Sequence, residues 1–179
     1  MMTPSLLRRR TTRIAMVAAV ILALDQATKL LVLRYLGYHE EKSVIDGFFK
    51  IVHWQNTGAA WSIFSGNNKL LAAIAVIALV ILFLSRHYFD SRSLTGQIAL
   101  GFIFGGITGN LIDRVRVHHV IDFLYFYIQP AGRPDPIGFP AFNVADSAIC
   151  TGVALIFLLS WKTDHAAPQD HPPATEKAT

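Results

Sequence analysis

Four apolar segments alternate with more polar connections, and each is about as long as the 20 residues that a helix needs to cross a bilayer. The turn near Arg86 is short, whereas two connections, Gly37–Asn68 and Asp113–Ala141, are long. The pattern predicts an all-α membrane protein with four transmembrane helices. The predicted spans are Ile14–Leu36, Lys69–Phe89, Leu94–Ile112 and Phe142–Trp161.

The first long connection has the composition of β-structure. Its segment Phe48–Phe64 reads FFKIVHWQNTGAAWSIF, in which β-branched and aromatic residues alternate with polar ones. Trp54 and Trp61 suit the membrane–water interface. The segment therefore predicts a small extracytoplasmic β element of one or two strands, contributed by this loop.

An alternative for the first span is a cleaved signal peptide, because arginines precede its apolar core. The apolar run resumes at Leu30–Leu33, and no small-residue cleavage motif closes the core, so a retained helix is favoured. Asp25 and Lys29 are four positions apart on one helix face, where they can neutralise each other. We expect this pair to face protein rather than lipid and to support the fold.

The third span carries Gly101, Gly105 and Gly109 at intervals of four residues. Such a face of small residues lets another membrane helix approach closely. A phosphate-binding loop is excluded, because no Lys-Ser/Thr pair follows the glycines and no strand precedes them.

Composition supports the membrane assignment. Of 179 residues, 53% are hydrophobic and only 16% are charged, against about 25% charged in soluble domains. The net charge of +4 is not spread over a soluble face, so we expect no nucleic-acid binding. Cys150 is the only cysteine, which excludes an intrachain disulfide, and its apolar surroundings predict a packing role.

The distribution of lysine and arginine predicts the orientation. Eight lie in the N-terminal lead, the short turn and the C-terminal tail, against five in the two long connections. The positive-inside rule then places both termini in the cytoplasm and both long loops outside. We divide the chain into a basic lead (1–13), a four-span domain (14–161) and a disordered cytoplasmic tail (162–179).

Three acids, Asp113, Asp122 and Asp146, lie in or beside segments that are otherwise apolar. An ionised carboxylate at membrane depth costs about 2.5–3.5 kcal/mol, so such acids are candidates for function. A hairpin between spans can bring Asp122 and Asp146 together, and paired carboxylates that share a proton are suited to peptide hydrolysis. Alternatively, Asp146 caps a helix and Asp122 is an interfacial acid facing water.

Other polar residues lie near the same level. Asp113 and Arg114 are expected to form a local ion pair, or Arg114 to orient a loop or a lipid phosphate. His118 and His119 point apart on a regular element, and no further ligand lies at metal-site spacing, so we expect no metal and no cofactor. Three asparagines could bind a substrate backbone or satisfy helix ends: Asn56, Asn110 and Asn143.

Five sequence blocks over residues 14–161 resemble, in the same order, the motifs of lipoprotein signal peptidase, also called signal peptidase II. These blocks are DQATK (Asp25–Lys29), NTGAAWS (Asn56–Ser62), GNLIDR (Gly109–Arg114), VIDF (Val120–Phe123) and FNVADS (Phe142–Ser147).

The resemblance implies an aspartic endopeptidase of the bacterial inner membrane, with its active site at the outer face. Such an enzyme cleaves diacylated prolipoproteins just before the lipid-modified Cys, works among membrane lipids and is inhibited by globomycin. Asp122 and Asp146 would be the catalytic pair, and Asp25 would support the fold near it. Asn56, Asn110, Arg114 and Asn143 would line the substrate site. We also expect a monomer.

Two readings compete with a hydrolase. A proton-coupled transporter also buries acids, but usually near the middle of the bilayer and within internal repeats. A membrane scaffold accounts for the glycines but not for the paired acids.

A narrower hypothesis concerns Asn56, which we expect to hold substrate and to leave the pH dependence of the acids unchanged.

Overall fold

The computed structural model describes residues 4–58, 66–88, 93–132 and 135–166, with side chains from residue 8 to residue 161. Within these ranges, four helices are long and apolar enough to cross a membrane, which confirms the predicted fold class. The helices are α1 (Pro4–Tyr35), α2 (Asn68–Ser85), α3 (Leu94–Arg116) and α4 (Val144–Ala166).

Helix α3 is the centre of the bundle and packs against the other three helices. Its glycines make this possible, as the sequence predicted. A methyl group at Gly101 would lie 2.6 Å from the side chain of Val17, and one at Gly105 would meet the backbone of Ala18. On another side of α3, Gly106 faces Ala145 of α4 with equally little room. Small residues thus bring α1 and α4 close to α3.

One four-stranded antiparallel sheet lies at the end of the bundle where α1 ends and α4 begins. Its order follows the chain: β1 (Glu41–Ile45), β2 (Phe49–Asn56), β3 (Val120–Ile128) and β4 (Ile137–Gly138). The predicted β element is present, but β3 and β4 come from the second long connection, to which no strand was assigned. Residues 59–64 of the predicted element, including Trp61, lie outside the described residues.

The contacts between the sheet and the helix bundle determine where Asp122 and Asp146 lie. In the register of β2 and β3, Trp54 is opposite Asp122, beyond an irregularity between Ile51 and Trp54. A bridge from Leu124 to Phe142 then ties β3 to the chain entering α4. As a result, Asp122 lies directly beside the first turn of α4.

Several predicted boundaries differ from the observed ones. Helix α1 already begins at Pro4, within the basic lead, and α4 continues to Ala166, whereas residues 167–179 of the tail lie outside the described residues. Cys150 is exposed on α4, so its predicted packing role is wrong. The division into lead, four-span domain and tail stays a prediction.

Candidate active site

Asn143 connects the two acids that the sequence paired. Its side-chain Nδ2 donates to Asp122 Oδ1 at 2.8 Å, and its backbone N–H donates to Asp146 Oδ2 at 3.2 Å. Its Oδ1 accepts from the backbone N–H of Asp146 at 2.9 Å. The last two bonds form a reciprocal capping box, which explains why α4 starts here. Asp146 therefore takes part in capping α4, as the alternative interpretation proposed, and Asp122 is hydrogen-bonded to the same asparagine.

Asp122 is held from a second side by the sheet. The Nδ2 of Asn56 donates to Asp122 Oδ2 at 2.9 Å. Asn56 is opposite Val120, two positions from Asp122, and such diagonal neighbours on adjacent strands lie within reach of each other. The expectation that Asn56 leaves the titration of the acids unchanged conflicts with this direct bond.

The surroundings of Asp122 favour its protonated form. Only 3% of the residue is exposed, and this burial, followed by the nearby negative charge of Asp146, raises the pKa of Asp122 to about 7. Hydrogen bonds from Asn56 and Asn143 oppose the rise, because they stabilise the carboxylate. Near neutral pH this group can therefore either give or take a proton.

Asn110 of α3 links Asp146 to a buried lysine. Its Nδ2 donates to Asp146 Oδ1 at 2.7 Å, while its Oδ1 accepts from Lys29 Nζ at 2.9 Å. Because an ammonium can only donate, Lys29 holds the oxygen of Asn110 toward itself and leaves the NH₂ group for Asp146.

Lys29 is at the centre of a buried ionic cluster with two acids. Its Nζ lies 2.9 Å from Asp25 and 2.7 Å from Asp113, and none of the three residues is more than 4% exposed. The predicted Asp25–Lys29 pair is therefore present. The other oxygen of Asp25 accepts from the backbone N–H of Ala145 at 3.0 Å. The cluster thus joins α1 and α3 to the start of α4, next to Asp146.

The predicted ion pair between Asp113 and Arg114 is wrong. Consecutive helical residues do not face each other, and α3 extends past both of them. Arg114 turns instead toward the first long loop and donates to Gly58 O at 3.1 Å, as the loop-orienting alternative proposed. Gly58 in turn donates its N–H to Asn56 Oδ1 at 2.9 Å. The Nε of Arg114 is buried and has no hydrogen-bond partner among the described residues.

Sequence reasoning missed two residues of the site. Gln26 donates to Asp113 Oδ1 at 3.0 Å and to the carbonyl of Gly109 at 3.3 Å. Gly109 has no room for a methyl group, which would overlap the carboxylate of Asp25. A signal was available for Gln26, a polar residue next to Asp25 within an apolar span. Gly109 was noted only as part of a helix-packing face.

The assembled site has the parts needed for general acid–base chemistry. Asp122 and Asp146 are both hydrogen-bonded to Asn143, and two carboxylates this close cannot easily ionise together. One of them therefore keeps a proton. The pair can then remove a proton from water and donate another to a carbonyl oxygen. Within the described residues, no group of three or more His, Cys, Asp or Glu side chains is arranged to hold a metal ion.

Comparisons with known proteins show the family to which the chain belongs. A family model for signal peptidase II matches residues 17–162. A lipoprotein signal peptidase of Geobacter sulfurreducens is 46% identical over 139 residues, covering 75% of this chain and 82% of the relative. Another, from Geobacillus thermodenitrificans, is 41% identical over 145 residues, covering 80% and 86%.

The fold also matches solved structures. A bacterial membrane enzyme determined by the in meso method at 2.3 Å resolution superposes with a TM-score of 0.70 at 32% identity, covering 90% of this chain and 94% of the other. A second, at 1.9 Å resolution, gives a TM-score of 0.67 at 34% identity, covering 85% and 94%.

Proposed function

Because the chain belongs to the signal peptidase II family, we propose that it removes signal peptides from prolipoproteins by aspartic catalysis, cutting just before a diacylglyceryl-modified Cys. The observation that carries the catalytic part is the bridge formed by Asn143, which is bonded to both Asp122 and Asp146. Family membership confirms the resemblance seen in the five sequence blocks, and it supports the substrate class.

In the resting enzyme Asp122 carries the shared proton and Asp146 is ionised. Both oxygens of Asp146 accept N–H bonds, from Asn110 and Asn143, and it lies in the first turn of α4, where the helix dipole favours negative charge. Burial and the negative charge of Asp146 raise the pKa of Asp122 to about 7, so Asp122 can hold the proton near neutral pH.

Hydrolysis then proceeds in two proton-balanced steps. Asp146 takes a proton from water as the water oxygen bonds to the scissile carbonyl carbon, and Asp122 gives its proton to the carbonyl oxygen. In the second step the C–N bond of this tetrahedral diol breaks. Asp146 protonates the leaving nitrogen, and Asp122 takes a hydroxyl proton back. The products are an acid and an amine, and the pair returns to its starting state.

We assign substrate binding to residues that lie beside Asp122 and Asp146. Arg114 is assigned to the binding of a substrate carbonyl, and its contact with Gly58 links it to the first loop. Asn56, Asn110 and Asn143 line the same space, with part of their hydrogen-bonding capacity directed to the acids. Inhibition by globomycin, action as a monomer and contact with surrounding lipid complete the proposal.

The catalytic proposal is tested by replacing each acid with its amide. Asn keeps an acceptor oxygen, so Asp146→Asn preserves the cap of α4 while removing the base. With a purified enzyme and a diacylated prolipoprotein, we expect Asp122→Asn and Asp146→Asn to fall below about a hundredth of the wild-type rate. Asp46→Asn, an exposed change in the turn between β1 and β2, is the control and should keep full activity.

Two outcomes would contradict the proposal. If either amide variant cleaves at more than about a hundredth of the wild-type rate, the catalytic group lies elsewhere. Equal cleavage of a lipidated and a non-lipidated prolipoprotein would remove the requirement for the diacylglyceryl group.

The chain is a multi-pass bacterial membrane protein, and we place it in the inner membrane with both termini cytoplasmic and the acids at the outer face. A reporter that is active only outside the cytoplasm should therefore be active when fused after Pro136 and silent when fused after Arg92. The reverse pattern would put the acids on the wrong side for exported substrates.

A further inference from the structure

A groove opens between α1 and α2, at the end of the bundle away from the acids. It is lined by six residues of α1 between Thr11 and Leu22, by Phe83 and Arg86 at the end of α2, and by three residues of α3. Its volume is about 410 Å³, within the range of small-molecule sites. The peptidase chemistry described above makes no use of this space.

The position of the groove follows from α2. Asn68, at the start of α2, donates to the backbone of Arg114 beside the acids. Arg86 comes 18 residues later, about 27 Å along a helix axis. The groove therefore runs from the middle of the membrane to the surface that the proposed orientation assigns to the cytoplasm.

The body of the groove is apolar and its mouth is basic. Ala15, Ala18 and Ala19 leave space beside the ring of Phe83. At the mouth, the guanidinium of Arg86 lies 4.1 Å from the centre of that ring and donates to the carbonyl of Phe83. Among the described residues that line the groove, none is acidic. The mouth thus offers a positive charge beside an apolar channel.

Helical spacing places a second arginine on the groove-facing side of α1, beyond the residues that line the groove. Arg8 is exposed and comes three residues before Thr11, so it occupies the same face of α1 one turn nearer the surface. Guanidinium groups bind phosphate through paired hydrogen bonds. Basic pockets between transmembrane helices on the cytoplasmic side bind anionic lipid headgroups.

We propose that this groove binds one anionic glycerophospholipid, with an acyl chain along the alanines and the phosphate between Arg8 and Arg86. The signal helix of a substrate fits the groove less well, because its leading segment is positively charged and would meet both arginines. Binding does not depend on the peptidase reaction, and the proposed orientation decides only which leaflet supplies the lipid.

The test is lipid binding to the full-length protein, measured by native mass spectrometry with phosphatidylglycerol and phosphatidylcholine of identical acyl chains. The wild type should bind one phosphatidylglycerol more tightly than phosphatidylcholine. Arg86→Gln should weaken phosphatidylglycerol binding about fivefold. Arg13→Gln removes the same charge from the opposite side of α1 and should leave binding unchanged.

A second pair of variants tests the channel. Ala15→Phe fills it and should weaken binding of both lipids, whereas Ala73→Phe, an exposed change in the outer half of α2, should not. Thermal melting of each variant identifies any that misfold. Asp122→Asn should bind lipid normally, so failure of this proposal can be told apart from failure of the catalytic one.

Three results would overturn the proposal. Equal weakening by Arg86→Gln and Arg13→Gln would indicate diffuse attraction to the basic end of the protein. Equal affinity for the two lipids would show that the arginines do not recognise the phosphate. Displacement of bound phosphatidylglycerol by a synthetic signal-sequence helix would make the groove a substrate site.

Discussion

Asn56 offers the sharpest test of how the site works. It donates to Asp122 Oδ2 at 2.9 Å, and a donor stabilises the charged form of a carboxylate. Asn56→Ala removes this donor, so the pKa of Asp122 should rise. In the proposed mechanism Asp122 must be protonated to act as the general acid, so activity is lost as pH rises through its pKa. The alkaline limb of the pH–rate profile should therefore move to higher pH.

The size of the shift follows from the strength of the bond. Hydrogen bonds to charged groups contribute about 1.5–3 kcal/mol, and one pKa unit corresponds to about 1.36 kcal/mol. Because Asp122 is only 3% exposed, little solvent screening reduces this effect. Starting from a pKa of about 7, the alkaline limb should move up by about one to two units. The acid limb, which reports the ionisation of Asp146, should stay in place.

The assay is cleavage of a diacylated prolipoprotein by purified enzyme across the pH range, recorded as kcat and as kcat/KM. Gln55→Ala is the matched control, because Gln55 is the neighbouring residue on the same strand and is exposed. Its profile should coincide with the wild type. If Asn56→Ala raises KM while the alkaline limb stays within a few tenths of a unit, the bond to Asp122 does not control its titration. Asn56 would then act on substrate alone, as the sequence first suggested.

Two further predictions concern the buried support of the site. Gly109→Ala should lower kcat because its methyl group displaces the carboxylate of Asp25, whereas Gly101→Ala, which also crowds α1, should reduce thermal stability with a smaller loss of kcat. Equal kcat losses would show that the effect is general helix packing. Lys29→Met should destabilise the protein by about 3–5 kcal/mol, since it leaves two buried acids unpaired. Lys50→Met breaks an exposed pair and should cost at most about 1 kcal/mol; comparable melting temperatures would contradict this.

The helices and much of the site could be predicted from local sequence. Long apolar runs indicate membrane spans wherever they occur, and helical spacing alone placed Asp25 and Lys29 on one face. The glycines of α3 were likewise interpreted correctly as a close-packing face. In each case the informative residues lie within a single helical segment, so no knowledge of the fold was required.

The rest depended on contacts between distant parts of the chain. Strand β3 was not recognised because VIDFLYFYI is almost continuously apolar and lacks the alternation that identifies a half-buried strand. The pairing of Asp113 with Lys29 joins two helices, and local reasoning favoured the adjacent Arg114 instead. The bond between Asn56 and Asp122 likewise depends on a strand register that no local pattern specifies.

The charges around the acids explain why a pair so close together can share a proton. Among the described residues, Lys29 is the only lysine in the buried cluster, and its salt bridges are to Asp25 and Asp113 rather than to Asp122 or Asp146. The charge of Arg114 also acts on these two acids, but its guanidinium is hydrogen-bonded to Gly58 and the backbone of α3. Ionising both Asp122 and Asp146 would therefore leave a buried excess of negative charge, which is costly at low dielectric. Retaining one proton reduces that excess, and a retained proton is what an acid–base mechanism requires.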